Sequence, residues 1–439
     1  MSWRYSKFFM KSFLKAVVVA ILTFEAKLLI RRTKPKIVAV TGSVGKTSTK
    51  DAIYTALKDS VYARKSQKSY NSELGVPLSI LGLENAWNNP VLWVKNIFDG
   101  LFRALFTREY PDVLVLEMGV DRPGDMKKLM TWIQPHVVVL TRLPSVPVHV
   151  EYFRDPEEVV QEKLELVRNL HPEGVFIYNQ DDERAQREAE GVRQKSFGYS
   201  RYSPSAFTLS RDEILMEERR PVGMRCLLTH NDESVELLVQ GSLGVQHAYS
   251  YAAAVAVALQ FDIPLQKSAA ALATSVPPPG RMRILPGINH TLIIDDTYNS
   301  SPTAAEHALL TLKELTAYGQ RKIAVLGDML ELGRYSSAEH ERIGTVAATA
   351  VDILITIGVR SRKTAEGALE NGLSEKCIFQ YETIEAAIAE VPRMLEYGDV
   401  ILVKGSQGVR AEKLVAMLLE DRTKAGEWLV RQDSMWDKR

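Results

Sequence analysis

The segment Thr41-Gly42-Ser43-Val44-Gly45-Lys46-Thr47-Ser48-Thr49 directly follows a short apolar run, Ile37 to Val40, and opens a stretch of helical periodicity. Glycines let a backbone wrap closely around a phosphate, the free amides of a helix start point toward it, and a lysine adds charge. Gly42, Ser43, Gly45, Lys46, Thr47 and Ser48 are therefore expected to hold a nucleoside triphosphate, with the Thr47 hydroxyl able to reach Mg2+. The longer form of such a loop would need glycine at position 40, where the chain has Val40, so this is the shortened Gly-x-x-Gly-Lys-Thr form. A plain strand-to-helix turn would not account for Lys-Thr after the second glycine. Phosphate binding alone leaves kinase, GTPase, motor ATPase and ligase open.

Further groups fall at the ends of apolar runs. Glu117 closes the run Val113 to Leu116, and a carboxylate at the carboxyl edge of a parallel strand, beside a phosphate loop, can complete the oxygen shell of Mg2+ with Thr47. A helix-cap or surface role is the plainer alternative for it. Thr141 follows Val137 to Leu140, and His149-Val150-Glu151 comes soon after. Lys163 lies in a helical stretch, and Asn179, Asp181 and Asp182 end the run Val175 to Tyr178, where turn chemistry explains them equally well. Pro277, Pro278 and Pro279 then precede Gly280-Arg281, followed by Asp295-Asp296-Thr297-Tyr298-Asn299-Ser300-Ser301-Pro302, Gly327-Asp328-Met329-Leu330-Glu331-Leu332-Gly333 and Lys404-Gly405-Ser406.

With Tyr70-Asn71-Ser72-Glu73-Leu74-Gly75-Val76-Pro77, this ordered set resembles the Mur ligase family, ATP-dependent enzymes that form amide bonds in peptidoglycan precursors. The resemblance runs from about Lys36 to Leu419 and is strongest to the D-alanyl-D-alanine-adding branch, for which Gly327 to Gly333 with His340 and Gly344 is the diagnostic piece. It implies roles for particular residues. Asn71 would lie beside substrate and γ-phosphate, Glu117 would hold Mg2+, His149 would reach a second Mg2+, and Lys163, if carbamylated, would become an anion serving that metal. Arg281 would sit on the γ-phosphate, Asp296 on the ribose and Asn299 on the adenine, while Asp328, Lys404 and Ser406 would face substrate or phosphate. The catalytic set is then Lys46, Glu117, His149, Lys163 and Arg281, with ATP and Mg2+ as cofactors.

The family's chemistry is carboxylate activation, in which a peptide carboxylate attacks the γ-phosphorus of ATP and an amine displaces phosphate from the resulting acyl phosphate. Closure of the last domain would assemble the site and exclude water. The implied partners are a small-molecule or lipid-linked muropeptide and a dipeptide amine of the D-alanyl-D-alanine kind. A monomeric enzyme of the cytoplasm is expected, peripheral at the inner face of the membrane if the N-terminal segment binds lipid. Two alternatives remain in view: a ligase of the same fold acting on another amino-acid or poly-amino-acid substrate, and a membrane-attached ATP-binding scaffold without catalysis. The chain departs from the family in places. Arg142 stands where the family has asparagine, and two extra residues precede His149. Members also begin with a UDP-sugar-holding domain of roughly 80 to 100 residues, where this chain has 36.

The elements that must position these groups read as α/β. The chain has 439 residues, 46% of them hydrophobic, which excludes a disordered tail, a collagen or a disulfide mini-scaffold. Cys226 and Cys377 form no Cys-x-x-Cys pair, so zinc-ribbon and thioredoxin-like sites are excluded and a reducing compartment fits. Apolar runs alternating with helical stretches imply a central parallel-sheet ATPase domain of the P-loop type over residues 37–276, with a small antiparallel extension between Ser196 and Gly241. After the proline boundary a doubly wound, Rossmann-like C-terminal domain is expected over 277–439, with its polar end from Asp421 frayed.

Net charge is +1, yet the first 36 residues hold nine basic side chains and one acid, Glu25. Phe9, Phe13, Leu14, Val17, Ile21, Leu22, Leu28 and Leu29 recur there at helical spacing, and the longest charge-free run, Ala16 to Phe24, is nine residues. A bilayer span wants about 20 apolar residues. A basic amphipathic helix over 1–36 is expected, packed on its own protein or lying on an anionic membrane; aliphatics interleave its charges, so it does not read as nucleic-acid-binding. The segment Asn85 to Arg108, with Trp87, Trp93, Phe98, Phe102, Leu105 and Phe106, is expected to form a further amphipathic helix, either packed into the core or facing a membrane.

Overall fold

The computed structural model describes residues 2–67, 70–218, 220–315, 321–432 and 436, with side chains from residue 14 onward. These group into two compact units: residues 1–143, 157–207 and 253–268 in the first, and 144–156, 208–252 and 269–439 in the second.

The first unit opens with α1 (Ser2–Thr33), then β1 (Lys36–Thr41), α2 (Lys46–Leu57), β2 (Ala63–Lys65), α3 (Gly75–Leu81), α4 (Pro90–Phe106) and β3 (Val113–Glu117). It continues through α5 (Asp125–Met130), β4 (Val137–Leu140), α6 (Pro156–Arg168), β5 (Val175–Asn179), α7 (Glu183–Gly191) and β6 (Lys195–Ser200). The strands lie in the order β2-β3-β1-β4-β5-β6, every neighbouring pair parallel. Strands β1, β3 and β4 are buried along nearly their whole length, which is why they read as unbroken apolar runs rather than alternating ones. The chain leaves β1 toward β2 and β3 on one side and later adds β4 on the other, so the loop after β1 lies where the strand order reverses. Ligands of open α/β sheets bind at such a reversal.

Helix α1 is an integral part of this unit. Leu22, Ala26 and Leu29 are fully buried, and Arg32 donates to the carbonyls of Leu105 (2.5 Å), Arg103 (3.1 Å) and Thr107 (2.6 Å), capping the carboxyl end of α4. Gly100 of α4 comes so close that a Cβ there would lie 2.1 Å from Glu25 Oε2. Glu25 is buried, and desolvation pushes its carboxyl up to about 7. Of the readings open for 1–36, packing on the protein holds for Leu22, Ala26 and Leu29, while Leu14, Val17 and Phe24 are exposed; the side chains of Phe9 and Phe13 lie outside the described ones. No helix among the described residues is long and apolar enough to cross a membrane. The core-packed alternative for Asn85 to Arg108 fails, because only Gly100 and Ala104 of α4 are buried while Phe98, Phe102, Leu105 and Phe106 are exposed.

In the second unit β7 (Phe207–Glu217), β8 (Arg220–His230) and β9 (Glu233–Gln240) form the expected antiparallel piece. Helices α8 (Val245–Leu259) and α9 (Leu265–Ala273) come next, and then β10 (Arg283–Pro286), β11 (Leu292–Asp296), α10 (Pro302–Glu314) and β12 (Lys322–Gly327). The remaining elements are α11 (Ser336–Ala348), β13 (Ile353–Ile357), α12 (Arg362–Glu370), β14 (Ile378–Tyr381), α13 (Ile384–Met394), β15 (Val400–Lys404) and α14 (Glu412–Leu418). Their sheet runs β10-β11-β15-β12-β13-β14, with only β10 antiparallel. Alternate residues enter two cores: Ile294, Ala324 and Leu402 pack with α10 and α11 residues, whereas Ile293, Val325 and Ile401 pack with α13 and α14 residues. Helices thus cover both faces, as a doubly wound sheet requires. The polar C-terminal stretch is anchored as far as it is described. Leu429 is buried, and Arg431 donates to Thr297 O (3.1 Å), to Tyr298 O and to Glu412 Oε2 (3.1 Å).

Candidate active site

The loop after β1 owes its shape to two glycines and to the neighbouring strand β4. Gly42 has φ +137°, and a Cβ there would lie 2.0 Å from Thr141 Oγ1, so no other residue fits without displacing β4's end. Gly45, at φ 85°, turns the chain into α2, directing Lys46, Thr47 and Ser48 into its first turn. Thr141 N donates to Thr41 O (2.9 Å) and Ser43 N to Arg142 O (2.8 Å). The residue standing in place of the family's asparagine therefore pins the loop with its backbone, whatever its side chain.

Glu117 ends β3 directly opposite Val40 in the register. Its Oε1 accepts from Asn71 Nδ2 (3.2 Å), its backbone amide donates to Ser66 Oγ (3.2 Å), and Lys50 Nζ stands 4.0 Å from Oε2. Asn71 is itself fixed, since Gly119 N donates to its carbonyl (2.9 Å). Asn71 thus orients the carboxylate. Among the described residues Glu117 Oε2 and Ser43 Oγ are buried without a hydrogen-bond partner. A buried carboxylate oxygen so placed, with Thr47 in the first turn of the helix that follows the neighbouring strand, fits a hard divalent cation that takes oxygen ligands. No group of three or more His, Cys, Asp or Glu gathers around one point among the described residues.

Lys163, on α6, is 2% exposed. Desolvation, and then the charge of Lys46, push its ammonium down to about 7 against the weaker pull of Asp121 and Glu162. At neutral pH a large fraction of this amine is uncharged and nucleophilic, a state an exposed lysine does not reach.

The second unit holds the remaining predicted residues. His149 sits in the left-handed region (φ 70°) with Nδ1 2.7 Å from Glu331 Oε2, and Glu331 is itself at φ 65°. A Cβ on Gly333 would lie 2.9 Å from Glu151 Cβ, so the loop carrying His149 is pressed against the segment 327–333. Asp295 is fully buried and accepts from Gly280 N (3.1 Å), Thr297 N (3.1 Å) and Thr297 Oγ1 (2.6 Å); burial outweighs these bonds and raises its carboxyl to about 6. The Arg281 guanidinium lies over the Tyr298 ring at 4.0 Å, and His247 holds the Arg281 carbonyl at 3.0 Å through Nε2. Burial drives His247 down to about 4, so it is the neutral ring that makes this bond.

Asp296 and Lys404 are register neighbours at the ends of β11 and β15, and Lys404 Nζ bonds Asp296 Oδ2 (2.7 Å) and Asn299 O (2.8 Å). Asn299 Oδ1 accepts from Ser300 N (2.9 Å). Asp328 Oδ1 accepts from Ser361 N (2.8 Å), Ser406 Oγ from Leu330 N (2.9 Å), and His340 Nε2 from Met329 N (3.0 Å). The structure therefore brings Asp296, Asn299 and Lys404 into one cluster and Asp328, Ser406 and His340 into the scaffold of the segment 327–333. Sequence reasoning missed Lys50, Ser66, His247 and Glu331 as partners of these groups. Glu331 lies inside the Gly327 to Gly333 motif; Lys50 and His247 lie one turn into α2 and at the start of α8, next to the loops they serve.

A phosphate loop at a strand-order reversal, a carboxylate on the adjoining strand and a second, doubly wound sheet define a two-part nucleotide-dependent architecture. The chain matches the Mur ligase middle domain over residues 40–94 and 96–258 and the Mur ligase glutamate ligase domain over 280–407. It belongs to the Mur ligase family. The UDP-N-acetylmuramoyl-tripeptide--D-alanyl-D-alanine ligase of Bacillus subtilis is 26% identical over 404 residues, covering 90% of this chain and 78% of that protein. Its Escherichia coli counterpart is 27% identical, covering 90% and 79%. The fold is shared with MurF of Acinetobacter baumannii (TM-score 0.76, 23% identity, 92% of this chain and 81% of that one). It is shared too with the MurF ligase of Thermotoga maritima solved with ADP (TM-score 0.74, 24% identity, 93% and 84%).

Proposed function

We propose that the chain is an ATP-dependent ligase of peptidoglycan precursor synthesis that joins a D-alanyl-D-alanine amine to the carboxylate of a muramoyl tripeptide, forming a C–N bond. The observation that carries this reading is the buried, under-coordinated Glu117 carboxylate at the strand end beside the glycine loop of residues 42–45, in a chain whose curated relatives bear that ligase's name. We place the ATP-binding domain at 37–276 and the C-terminal domain at 277–439.

In the reaction a substrate carboxylate oxygen forms a bond to the γ-phosphorus of ATP as the bond to ADP breaks. The amine nitrogen then bonds the acyl carbon, phosphate leaves, and the amine gives up a proton. The negative groups converging in the first step repel one another. Lys46 and the backbone amides at the start of α2 stabilise the polyphosphate, and Arg281 stabilises the charge on the transferring phosphoryl group. Asp296 and Asn299 position the nucleoside. Thr47 and Glu117 would hold Mg2+, which would supply neutralisation of phosphate charge; His149 and a carbamylated Lys163 would serve a second such ion. The acceptor is a small-molecule or lipid-linked muropeptide, and the enzyme works as a monomer in the cytoplasm.

The test is phosphate release from ATP with D-alanyl-D-alanine and either UDP-linked or lipid-linked muramoyl tripeptide. Release that needs both acid and amine is the expected result. ATP binding without amine-dependent release would mark a scaffold, and release with a different amine another ligase of this fold.

A further inference from the structure

Helix α4 is inverted relative to an ordinary surface helix. On its protein-facing side the only fully buried residues are small, Gly100 and Ala104, with Gly100 against Glu25 of α1, while Trp93, Asn96, Ile97 and Arg103 are half-buried. Its large apolar residues point the other way: Val91, Val94, Phe98, Phe102 and Leu105 recur every three or four positions along one stripe, with Phe106 beside it, and all are exposed. Phe98 is 68%, Phe102 64% and Phe106 62% exposed. A contiguous apolar face of this kind marks an interaction surface rather than scattered surface hydrophobes. Glycine and alanine on the inner side let α4 lie close to α1, so the stripe is carried on a rigid support.

The charge around the stripe identifies its partner. Glu25, the single acid of α1, is buried against Gly100 and adds nothing to the surface. The exposed charges at the end of α1 that caps α4 are Arg31, Arg32 and Lys34, with Arg108 just past the carboxyl end of α4. Asp99, already 3.7 Å from Lys95, and Glu109 are the acids between residues 90 and 109. An apolar stripe bordered by cations matches a surface that offers acyl chains below and phosphate above. Cations outnumber acids along this rim, with Arg31, Arg32, Lys34, Lys95 and Arg108 against Glu84, Asp99 and Glu109.

We propose that the exposed face of α4, with the cationic carboxyl end of α1, docks the protein on an anionic phospholipid bilayer, lying in its interface. No helix among the described residues is suited to crossing it. Lys15, nearer the other end of α1, stands 3.8 Å from Glu73 in the segment that carries Asn71, so α1 runs from the docking face toward that segment of the same unit. This deepens the ligase reading by supplying a place where a lipid-linked acceptor would be met, and it rests on that reading only for that consequence.

The experiment is flotation of the full chain with vesicles of phosphatidylcholine alone or mixed with phosphatidylglycerol, alongside sedimentation velocity without lipid. Wild type should float with the mixed vesicles only, and 0.5 M salt should weaken it several-fold. The exposed-site variants Phe98→Ser/Phe102→Ser and Arg31→Glu/Lys34→Glu should each reduce bound protein at least ten-fold while thermal unfolding stays as in wild type. Failure of wild type to float with mixed vesicles, equal flotation on phosphatidylcholine alone, or undiminished flotation of the serine variant would overturn the proposal. A lipid-independent dimer abolished by the serine variant, without flotation of wild type, would assign the stripe to a second copy instead. Phosphate release is assayed separately, so loss of the ligase reading and loss of the docking surface are distinguishable outcomes.

Discussion

Replacing Lys163 by methionine should change the pH dependence of stability in a calculable way. In the unfolded chain the ammonium titrates near 10.5, whereas burial in the folded protein brings it to about 7. Between those values the unfolded state binds more protons than the folded one, so stability rises with pH across the window and is lowest below pH 7. At about 1.36 kcal/mol per pH unit, the full depression corresponds to about 5 kcal/mol, and the part recovered between pH 7 and 9, where the folded amine is still half protonated at the start, to about 2 kcal/mol. Lys163→Met removes the titrating group and keeps the apolar stem, so its stability advantage over wild type should shrink by about 2 kcal/mol from pH 7 to 9. Urea unfolding of both proteins in CO2-depleted buffer measures this, because the other titrating groups cancel in the difference. Curves that remain parallel from pH 6 to 9 would refute the reasoning, showing that the amine is hydrated in the folded protein. Bicarbonate adds a second arm. The neutral amine can take up CO2 with loss of a proton, so phosphate release by wild type should rise on bicarbonate addition and that by the methionine variant should not.

Single contacts set three further outcomes. Lys404→Met leaves the Asp296 carboxylate and the Asn299 carbonyl without their shared cation in a buried place, and should cost about 3 to 5 kcal/mol in denaturant unfolding. Gly42→Ala must put a Cβ 2.0 Å from Thr141 Oγ1 at φ +137°; a fluorescent ATP analogue should bind at least ten-fold more weakly, and unchanged binding would mean the loop rearranges freely. The Glu25 carboxyl, pushed up to about 7, binds more protons folded than unfolded, so its contribution falls as pH rises from about 4.5 through 7. Glu25→Gln should therefore raise the Tm at pH 8 and leave it nearly unchanged at pH 5.

The first unit is legible in the sequence because its strands are buried on both faces. Continuous apolar runs such as Val113 to Leu116 admit few other readings, and the glycine loop after β1 announces the start of α2. Elements without that signal escape a reading by pattern. Helix α12 buries Thr364, Ala365, Gly367 and Ala368, small residues that suit the place because Gly344 and Gly367 bring two helices into backbone contact, and they leave no apolar period to detect. Strand β6 contains Lys195, Ser196 and Gly198 and is recognisable only through its pairing with β5. For α4 the periodicity is plain and its direction is not. Period alone cannot say which side of a helix meets protein, and here Gly100 and Ala104 decide it.

The motif residues divide by whether the protein itself uses up their bonding capacity. Asp328 spends an oxygen on Ser361 N, Ser406 accepts from Leu330 N, and Lys404 is claimed by Asp296 and the Asn299 carbonyl. Such groups set the shape of a loop, and their loss should appear first in folding. Glu117 is different: one oxygen is held by Asn71 while the other lies buried without a hydrogen bond, as Ser43 Oγ does in the loop beside it. A fold does not leave buried polar atoms unsatisfied without cost, of the order of 1 to 3 kcal/mol for each. That cost is recovered when something with matching chemistry enters, so nucleotide with a divalent cation should stabilise the first unit more than it stabilises a Glu117→Gln variant. Equal thermal shifts in the two proteins would mean that the spare oxygen has another use.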